Sequence, residues 1–417
     1  MDKITMPSKA NLKREAQVLK EQMVLSDGQQ DFYRVWAAND SPYSWKLRTY
    51  MHYKGIPYKR MSIDMPAINE IVKRVGMHIM PAVLTPDDQV MQDTTPIMTH
   101  FENIYKDNSC SPADERLQFI NALLEDFGDE YLPRFSMHYR WGNEQNRQTV
   151  SHRIARAICY GSLGMHPKQA APMVLQRQQG FDKPLGLTGN DVRESLDQQL
   201  LDLLGILDKH FTDHQFLLGN RPSLADFAVY AHLYTHILQD PFSAEIIERH
   251  GARTVNWIDT INEFGDTRGC IGQQIFGDWI DLDEGVPESL KELLEFVGKT
   301  YVPFSTGVAK AITQNSKTAK ANVYGVMTEY GAFGYRAWSL EQVQLGYEKL
   351  NGVSKSFIDN LLTETCILPA LMESGIVHID LFDGFTPPFV KNGECDARVR
   401  YLNQKKRDTG PAWDKKE

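Results

Sequence analysis

The order of strand and helix signals between residues 32 and 105 constrains this fold more than any other feature of the chain. Residues 32–36 are rich in aromatic and β-branched residues, as strands are. Pro42 suits the first turn of the helix that follows. The remaining signals alternate: strands at 58–63, 82–85 and 89–91, with helices at 42–55, 68–75 and 93–105. The order β-α-β-α-β-β-α predicts an α/β domain built on a mixed four-stranded sheet.

Strand signals nearly vanish after residue 112, and helical periodicity replaces them. One apolar stripe at helical spacing needs a partner helix to cover it: Leu200, Leu203, Leu204, Leu207 and Phe211. Ser223 and Asp226 have the spacing of a helix capping box. These features predict an all-helical second domain.

A segment rich in Pro, Gly and Asp, residues 281–287, interrupts the helical pattern, which returns at 288–312 and 339–374. From these breaks we predict five segments: a polar N-terminal arm at 1–30, the α/β domain at 31–108, the all-helical domain at 112–283, a helical extension of unknown role at 284–378 and a polar tail at 379–417. We expect the first two domains to fold without residues 284–417.

Composition excludes several classes of protein. The formal net charge of -9 argues against a nucleic-acid partner, because such proteins need a basic face. The chain has no long apolar run, which argues against a membrane span, and its polar first 30 residues do not resemble a secretory signal. The 5 cysteines are widely spaced, without metal or redox spacing. We therefore expect a cytoplasmic protein with free thiols and no metal site.

Four short segments add information through their order: SPYSWKLR at 41–48, MPAVL at 80–84, QDTTPI at 92–97 and FLLGNRPSLAD at 216–226. Together they resemble the glutathione S-transferase superfamily, especially its zeta-like and omega-like classes, over about residues 30–270. The resemblance implies a thioredoxin-like first domain, the family's all-α C-terminal domain, and a bacterial-type member with a C-terminal extension.

The resemblance implies that Ser41 acts on the thiol of glutathione. A free thiol of this kind has a pKa of about 8.5, and a hydroxyl donor at a helix N-terminus favours the thiolate. Residue type and position alone are equally consistent with a simple helix cap. Asn39 and Ser44 are the alternative catalytic candidates. Pro42 and Tyr43, in the first turn, are expected to contact the cofactor.

The same resemblance implies the remaining cofactor contacts. Pro81 is expected to follow a cis peptide bond, so that the Met80 backbone pairs with the cysteinyl part of glutathione. Asp93 is expected to meet the glutamyl ammonium group, and Thr94 the glutamyl carboxylate at the helix N-terminus. The alternative for both is an ordinary N-cap without a ligand.

The implied activity is that of a glutathione transferase, in which the thiolate attacks a hydrophobic small-molecule electrophile, as in detoxification. Such proteins usually pair, so a homodimer is expected. We expect the electrophile between the domains, near Tyr43, residues 138–141 and residues 154–160. Two alternatives stay open: a glutathione-dependent isomerase or reductase, and a non-catalytic interaction protein with the same fold.

Overall fold

A computed structural model describes residues 32–61, 63, 65–75, 79–159, 165–264, 277–379 and 387–390. The predicted N-terminal arm lies outside the described residues, as does most of the predicted polar tail.

The first domain is built on a mixed sheet with strand order β2-β1-β3-β4-β7. Its strands are β1 (Tyr33–Trp36), β2 (Tyr58–Met61), β3 (Ala82–Leu84), β4 (Val90–Gln92) and β7 (Phe389–Val390). β1 runs parallel to β2, and the other neighbours are antiparallel. Three helices complete this domain: α1 (Pro42–Tyr53), α2 (Met65–Val75) and α3 (Thr94–Ile104). The predicted thioredoxin-like fold is confirmed.

The central strands β1, β3 and β4 are buried along their whole length, so both of their faces pack against other parts of the protein, because successive side chains of a strand point to opposite sides. Val35, Val83 and Met91 join the main hydrophobic core, which continues into the helical part of the chain. Trp36 and Leu84 face the other side and pack in a smaller cluster with α2.

The fifth strand, β7, comes from the region predicted to be a polar tail. It pairs with β4 through Met91–Phe389 and Val90–Val390. The Gln92 amide also donates to the Pro388 carbonyl at 3.0 Å. A strand of two residues is too short to show periodicity, so the sequence predicted four strands only. The added strand covers the edge of β4 that would otherwise be unpaired.

The second domain is helical, as predicted. Its helices are α4 (Glu115–Glu130), α5 (Pro133–Gly142), α6 (Glu144–Cys159), α7 (Pro167–Gln179), α8 (Asn190–His210), α9 (Leu224–His232), α10 (Pro241–His250) and α11 (Ala252–Glu263). A π-helical turn, Leu233–Leu238, continues α9. The predicted capping box is confirmed, because the Ser223 side chain accepts from the Asp226 amide and the Asp226 side chain accepts from the Ser223 amide. Within the described ranges, no helix is both long and apolar enough to cross a membrane.

The extension is helical, with a β-hairpin in its middle. It contains α12 (Glu288–Lys299), α13 (Tyr301–Thr313), β5 (Thr318–Val323), β6 (Val326–Gly331), α14 (Gly334–Lys349) and α15 (Gly352–Glu364). The hairpin falls between the two predicted helical patterns. Its two-residue turn, Tyr324–Gly325, has positive φ at both positions (52° and 82°). Turns of this kind favour Asn-Gly. The Tyr-Gly sequence lacks this signal, so the hairpin was not predicted from the sequence.

The hydrophobic core runs without interruption from the helical domain into the extension. Helix α12 packs on α8, while α13, α14 and α15 all pack on α4. Phe296 and Phe304 lie against Phe127 and Tyr131, with ring centroids 6.1 and 5.6 Å apart. The boundary at 283/284 stays a prediction, but the extension and the first two domains share one core.

Candidate active site

Strand register brings the three predicted ligand segments to one end of the sheet. Trp36 pairs with Ala82, and Ala82 pairs with Gln92, so these three residues lie side by side. The chain enters or leaves this end of the sheet through the segments that the sequence singled out: the loop 37–41, residues 80–81 and the junction 93–94.

Ser41 is the N-cap of α1, and its side chain accepts a hydrogen bond from the Ser44 amide at 3.3 Å. The residue is half-buried. A hydroxyl can accept and donate at the same time. The cap uses Ser41 Oγ only as an acceptor, so capping is compatible with donation to a ligand.

The two alternative candidates are engaged differently. The Asn39 side-chain oxygen accepts from Arg60 Nη1 at 2.6 Å and from Arg48 Nη1 at 3.3 Å. Ser44 is fully buried, and its hydroxyl oxygen accepts from the Ala38 amide at 3.1 Å. Both side chains therefore hold the loop itself, whereas Ser41 Oγ caps the following helix.

The helical domain holds the loop that precedes Ser41. Arg140 Nη1 donates to the Asp40 carbonyl at 3.0 Å, and Arg153 Nε donates to the Asp40 carboxylate at 2.5 Å. Both arginines also bind Asp240, which is fully buried. This clamp fixes the start of α1 relative to the second domain.

At the second and third segments, the Met80–Pro81 bond is cis, as predicted. Asp93 has a φ of 75°, a strained value for a residue with a side chain. Thr94 is buried as the first residue of α3. Among the residues that the structure describes, the Asp93 side chain makes no capping hydrogen bond to α3. Its carboxylate accepts a hydrogen bond from the Tyr335 hydroxyl at 2.9 Å.

A buried lysine that sequence analysis missed lies behind the candidate site. Lys46, on α1, is fully buried. Its Nζ lies 2.8 Å from Glu125 and 2.5 Å from Asp129, both on α4, and 3.1 Å from the Thr95 hydroxyl on α3. The available signal was its position between the apolar residues Trp45 and Leu47 on the predicted helix 42–55. This contact ties α1 and α3 to the helical domain.

Tyr43 also contacts the helical domain. Its hydroxyl donates to the Asp129 carbonyl at 2.8 Å, and burial raises its pKa well above the usual value. Its ring meets His232 edge-on, with centroids 5.4 Å apart. Burial, with Lys46 and Arg140 nearby, lowers the pKa of His232 to about 3, so this imidazole is neutral at physiological pH.

Two family models match the chain within these domains. The model of the glutathione S-transferase N-terminal domain matches residues 40–104, which include Ser41, Met80, Pro81, Asp93 and Thr94. The model of the glutathione S-transferase C-terminal domain matches residues 190–235. These two segments of the chain are the N-terminal and C-terminal domains of the glutathione S-transferase superfamily.

Solved structures of this superfamily resemble part of the chain. The β-etherase LigF from Sphingobium sp. strain SYK-6 is 18% identical, with a TM-score of 0.41, over 57% of this chain and 96% of LigF. The glutathione transferase GSTFuA2 from Phanerochaete chrysosporium is 16% identical, with a TM-score of 0.41, over 57% of this chain and 99% of its own. CsGST83044 of Ceriporiopsis subvermispora, solved in complex with glutathione, is 15% identical, with a TM-score of 0.39, over 56% and 98%. No curated protein sequence matches the chain.

We expected residues 138–141 to line a substrate site next to Tyr43. Their side chains lie on two different faces of α5. Arg140 faces the loop before α1, as described above. His138 faces Asp197 on α8, with the imidazole 2.8 Å from the carboxylate. His138, Tyr139 and Trp141 line a cavity of about 700 Å³ within the helical domain, together with side chains of α8 and α10. Helix α5 therefore stands between this cavity and the loop carrying Ser41.

Three buried carboxyl groups of α4, those of Asp126, Asp129 and Glu130, lie between the candidate site and the extension. Burial raises the pKa of Asp126 to about 6, of Asp129 to about 7 and of Glu130 to about 8. Asp126 accepts from the hydroxyls of Tyr301 and Ser339. Asp126 and Glu130 therefore hold a proton in the folded protein at a pH where the unfolded chain has released it, whereas Asp129 pairs with Lys46.

The raised pKa values of these carboxyl groups predict that the protein becomes less stable at mildly alkaline pH. Because the folded state binds more protons than the unfolded state, the free energy of unfolding should fall as pH rises from 7 to 8.5, by at most about 1.4 kcal/mol per pH unit for each extra proton. Histidines with lowered pKa values, such as His210 and His232, act in the opposite direction near their ordinary pKa of 6.5, because only the unfolded chain binds their proton there. This effect fades as the pH rises, so the decline should be clearest above about pH 7.5. Urea unfolding at several pH values measures the slope.

Glu130→Gln removes the carboxyl with the highest of these pKa values. In this variant the decline between pH 7 and 8.5 should become shallower, whatever the change in absolute stability. A wild-type protein whose stability is constant or rises over this range would contradict the assignment.

Proposed function

We propose that this protein is a glutathione transferase, which binds glutathione where the loop 37–41, residues 80–81 and the junction 93–94 meet. The observation that carries the proposal is the register Trp36–Ala82–Gln92, which gathers all three family segments at one end of the sheet. The N-termini of α1 and α3 lie at this same end, and helix N-termini favour anionic groups.

In the proposed reaction, Ser41 donates a hydrogen bond to the sulfur of glutathione. The positive dipole end of α1 adds to this, and both favour the thiolate over the thiol. A hydrogen bond to a charged group contributes about 1.5–3 kcal/mol. The Arg140–Asp240–Arg153 clamp on Asp40 keeps the hydroxyl in place without reorganisation. The thiolate then attacks a hydrophobic electrophile.

The rest of the cofactor is assigned to the other two segments. The Met80 backbone pairs with the cysteinyl part of glutathione, Thr94 and the α3 amides bind the glutamyl carboxylate, and Asp93 binds the glutamyl ammonium group. The strained backbone of Asp93 supports this assignment, because strain of this kind collects at ligand sites.

Ser41→Ala tests the activation step. Removing one charged hydrogen bond should raise the pKa of bound glutathione by about one to two pH units and slow conjugation roughly ten- to a hundredfold. Affinity for glutathione should change little, because Asp93, Thr94 and Met80 still hold the remainder. Ultraviolet titration of the bound thiolate against pH gives the pKa, and calorimetric titration gives the affinity.

Ser223→Ala is the matched control, since Ser223 also caps a helix, α9, outside the candidate site. It should lose about 1 kcal/mol of stability, as a lost cap does, and leave the thiol pKa unchanged. If wild-type protein binds no glutathione, the proposed function is wrong. If it binds but Ser41→Ala has the wild-type thiol pKa, Ser41 is a cap only.

A further inference from the structure

The first turn of α14, in the extension, reaches the candidate glutathione site. Tyr335 donates to the Asp93 carboxylate at 2.9 Å, across 242 residues of sequence. The next residue, Arg336, is buried and lies 3.2 Å from Glu130 at the end of α4. Its guanidinium also packs over the Phe304 ring, 4.6 Å from the centroid. The turn carrying Tyr335 is therefore fixed in the core.

The contact from Tyr335 reaches a residue whose backbone is already fixed by its positive φ of 75°. It gives the Asp93 carboxylate a hydrogen-bond donor on a rigid helix of the extension, and this donor restricts the direction of the carboxylate. A carboxylate fixed in advance binds a cation with less loss of side-chain entropy than a mobile one.

We propose that Tyr335 is a positioning residue for Asp93, so that the extension completes the part of the site that takes the glutamyl ammonium group. This inference rests on the proposed function. It gives the extension a role in ligand recognition: Tyr335 holds Asp93, and Arg336 anchors the turn through Glu130. The competing interpretation, in which Tyr335 occupies the place of the ammonium group and blocks the site, predicts the opposite result for the same substitution.

The test compares two ligands that differ only in the ammonium group: glutathione, and its analogue in which a glutaryl group replaces the γ-glutamyl residue. Wild-type protein should bind glutathione more tightly than the analogue. Tyr335→Phe removes one hydroxyl and keeps the ring, which lies 5.5 Å from Trp338. It should weaken glutathione binding about tenfold and change analogue binding much less, so the preference for glutathione should shrink.

Tyr347→Phe is the matched control. Tyr347 lies on the same helix, and its hydroxyl donates to Asp359 at 2.6 Å, within the extension. This variant should keep the wild-type preference, because loss of an extension hydroxyl alone does not change ligand discrimination. Asp93→Asn should lose the preference, and adding Tyr335→Phe to it should have little further effect.

Three outcomes separate the possibilities. If wild-type protein binds glutathione and Tyr335→Phe keeps the full preference, the positioning role is wrong while the proposed function stands. Tighter glutathione binding by Tyr335→Phe also overturns it and shows that the tyrosine blocks the site. If wild-type protein binds neither ligand, the proposed function fails and this inference fails with it.

Discussion

Deletion of residues 284–417 should leave a chain that is insoluble or does not unfold cooperatively. The extension covers α4 and the residue that follows it, and three aromatic side chains there would each lose a ring partner: Phe119, Phe127 and Tyr131. The partners lost are Tyr347, Phe296 and Phe304, respectively. A buried side chain of this size contributes about 1.5–3 kcal/mol, against a net stability of about 5–15 kcal/mol for a whole domain.

The deletion also removes polar partners. Asp126 would lose the hydroxyls of Tyr301 and Ser339, and Glu130 would lose Arg336. Sequence analysis predicted that the first two domains fold alone, and the packing leads us to expect the opposite.

A chain that ends at residue 390 is the control for this deletion. It keeps every contact described above and should unfold cooperatively by circular dichroism and calorimetry. A soluble fragment 1–283 with a single cooperative transition would show that α4 does not need the extension. Glutathione binding by that fragment would also argue against a role for Tyr335.

Lys46→Met should destabilise the protein by about 3–5 kcal/mol. The lysine is fully buried between Glu125 and Asp129, so its removal leaves two close carboxylates without their cation. Breaking a buried ion pair by removing one partner costs about this much. The substitution should also loosen α1 against α4. Chemical denaturation measures the loss, and glutathione titration shows whether the site weakens with it.

Two further variants make this result interpretable. Lys291, in a surface ion pair with Glu364 at 3.2 Å, is the matched control, and Lys291→Met should cost less than about 1 kcal/mol. Adding Asp129→Asn to Lys46→Met removes one of the stranded charges and should restore part of the stability. A loss below about 1 kcal/mol for Lys46→Met alone would contradict the assignment.

Elements whose signals are local could be predicted from the sequence alone. The alternation of short strands and helices defined the thioredoxin-like domain, and the Ser223–Asp226 spacing defined a cap. The order of the motifs around Ser41, Pro81 and Asp93 placed them in the glutathione S-transferase superfamily. Each of these signals needs only a few neighbouring residues, because turn chemistry, capping and periodicity act over one or two turns of chain.

Contacts between distant residues at the site became visible only in the folded chain. Nothing near Asp93 indicates that Tyr335 holds its carboxylate, and nothing near Lys46 indicates Asp129 as its partner. The two-residue strand β7 likewise forms only against the edge of β4. These contacts depend on how helices pack and on the free-energy cost of burying an unpaired charge. The residues that pair with a buried charge are close in space but distant in sequence, so local periodicity does not identify them.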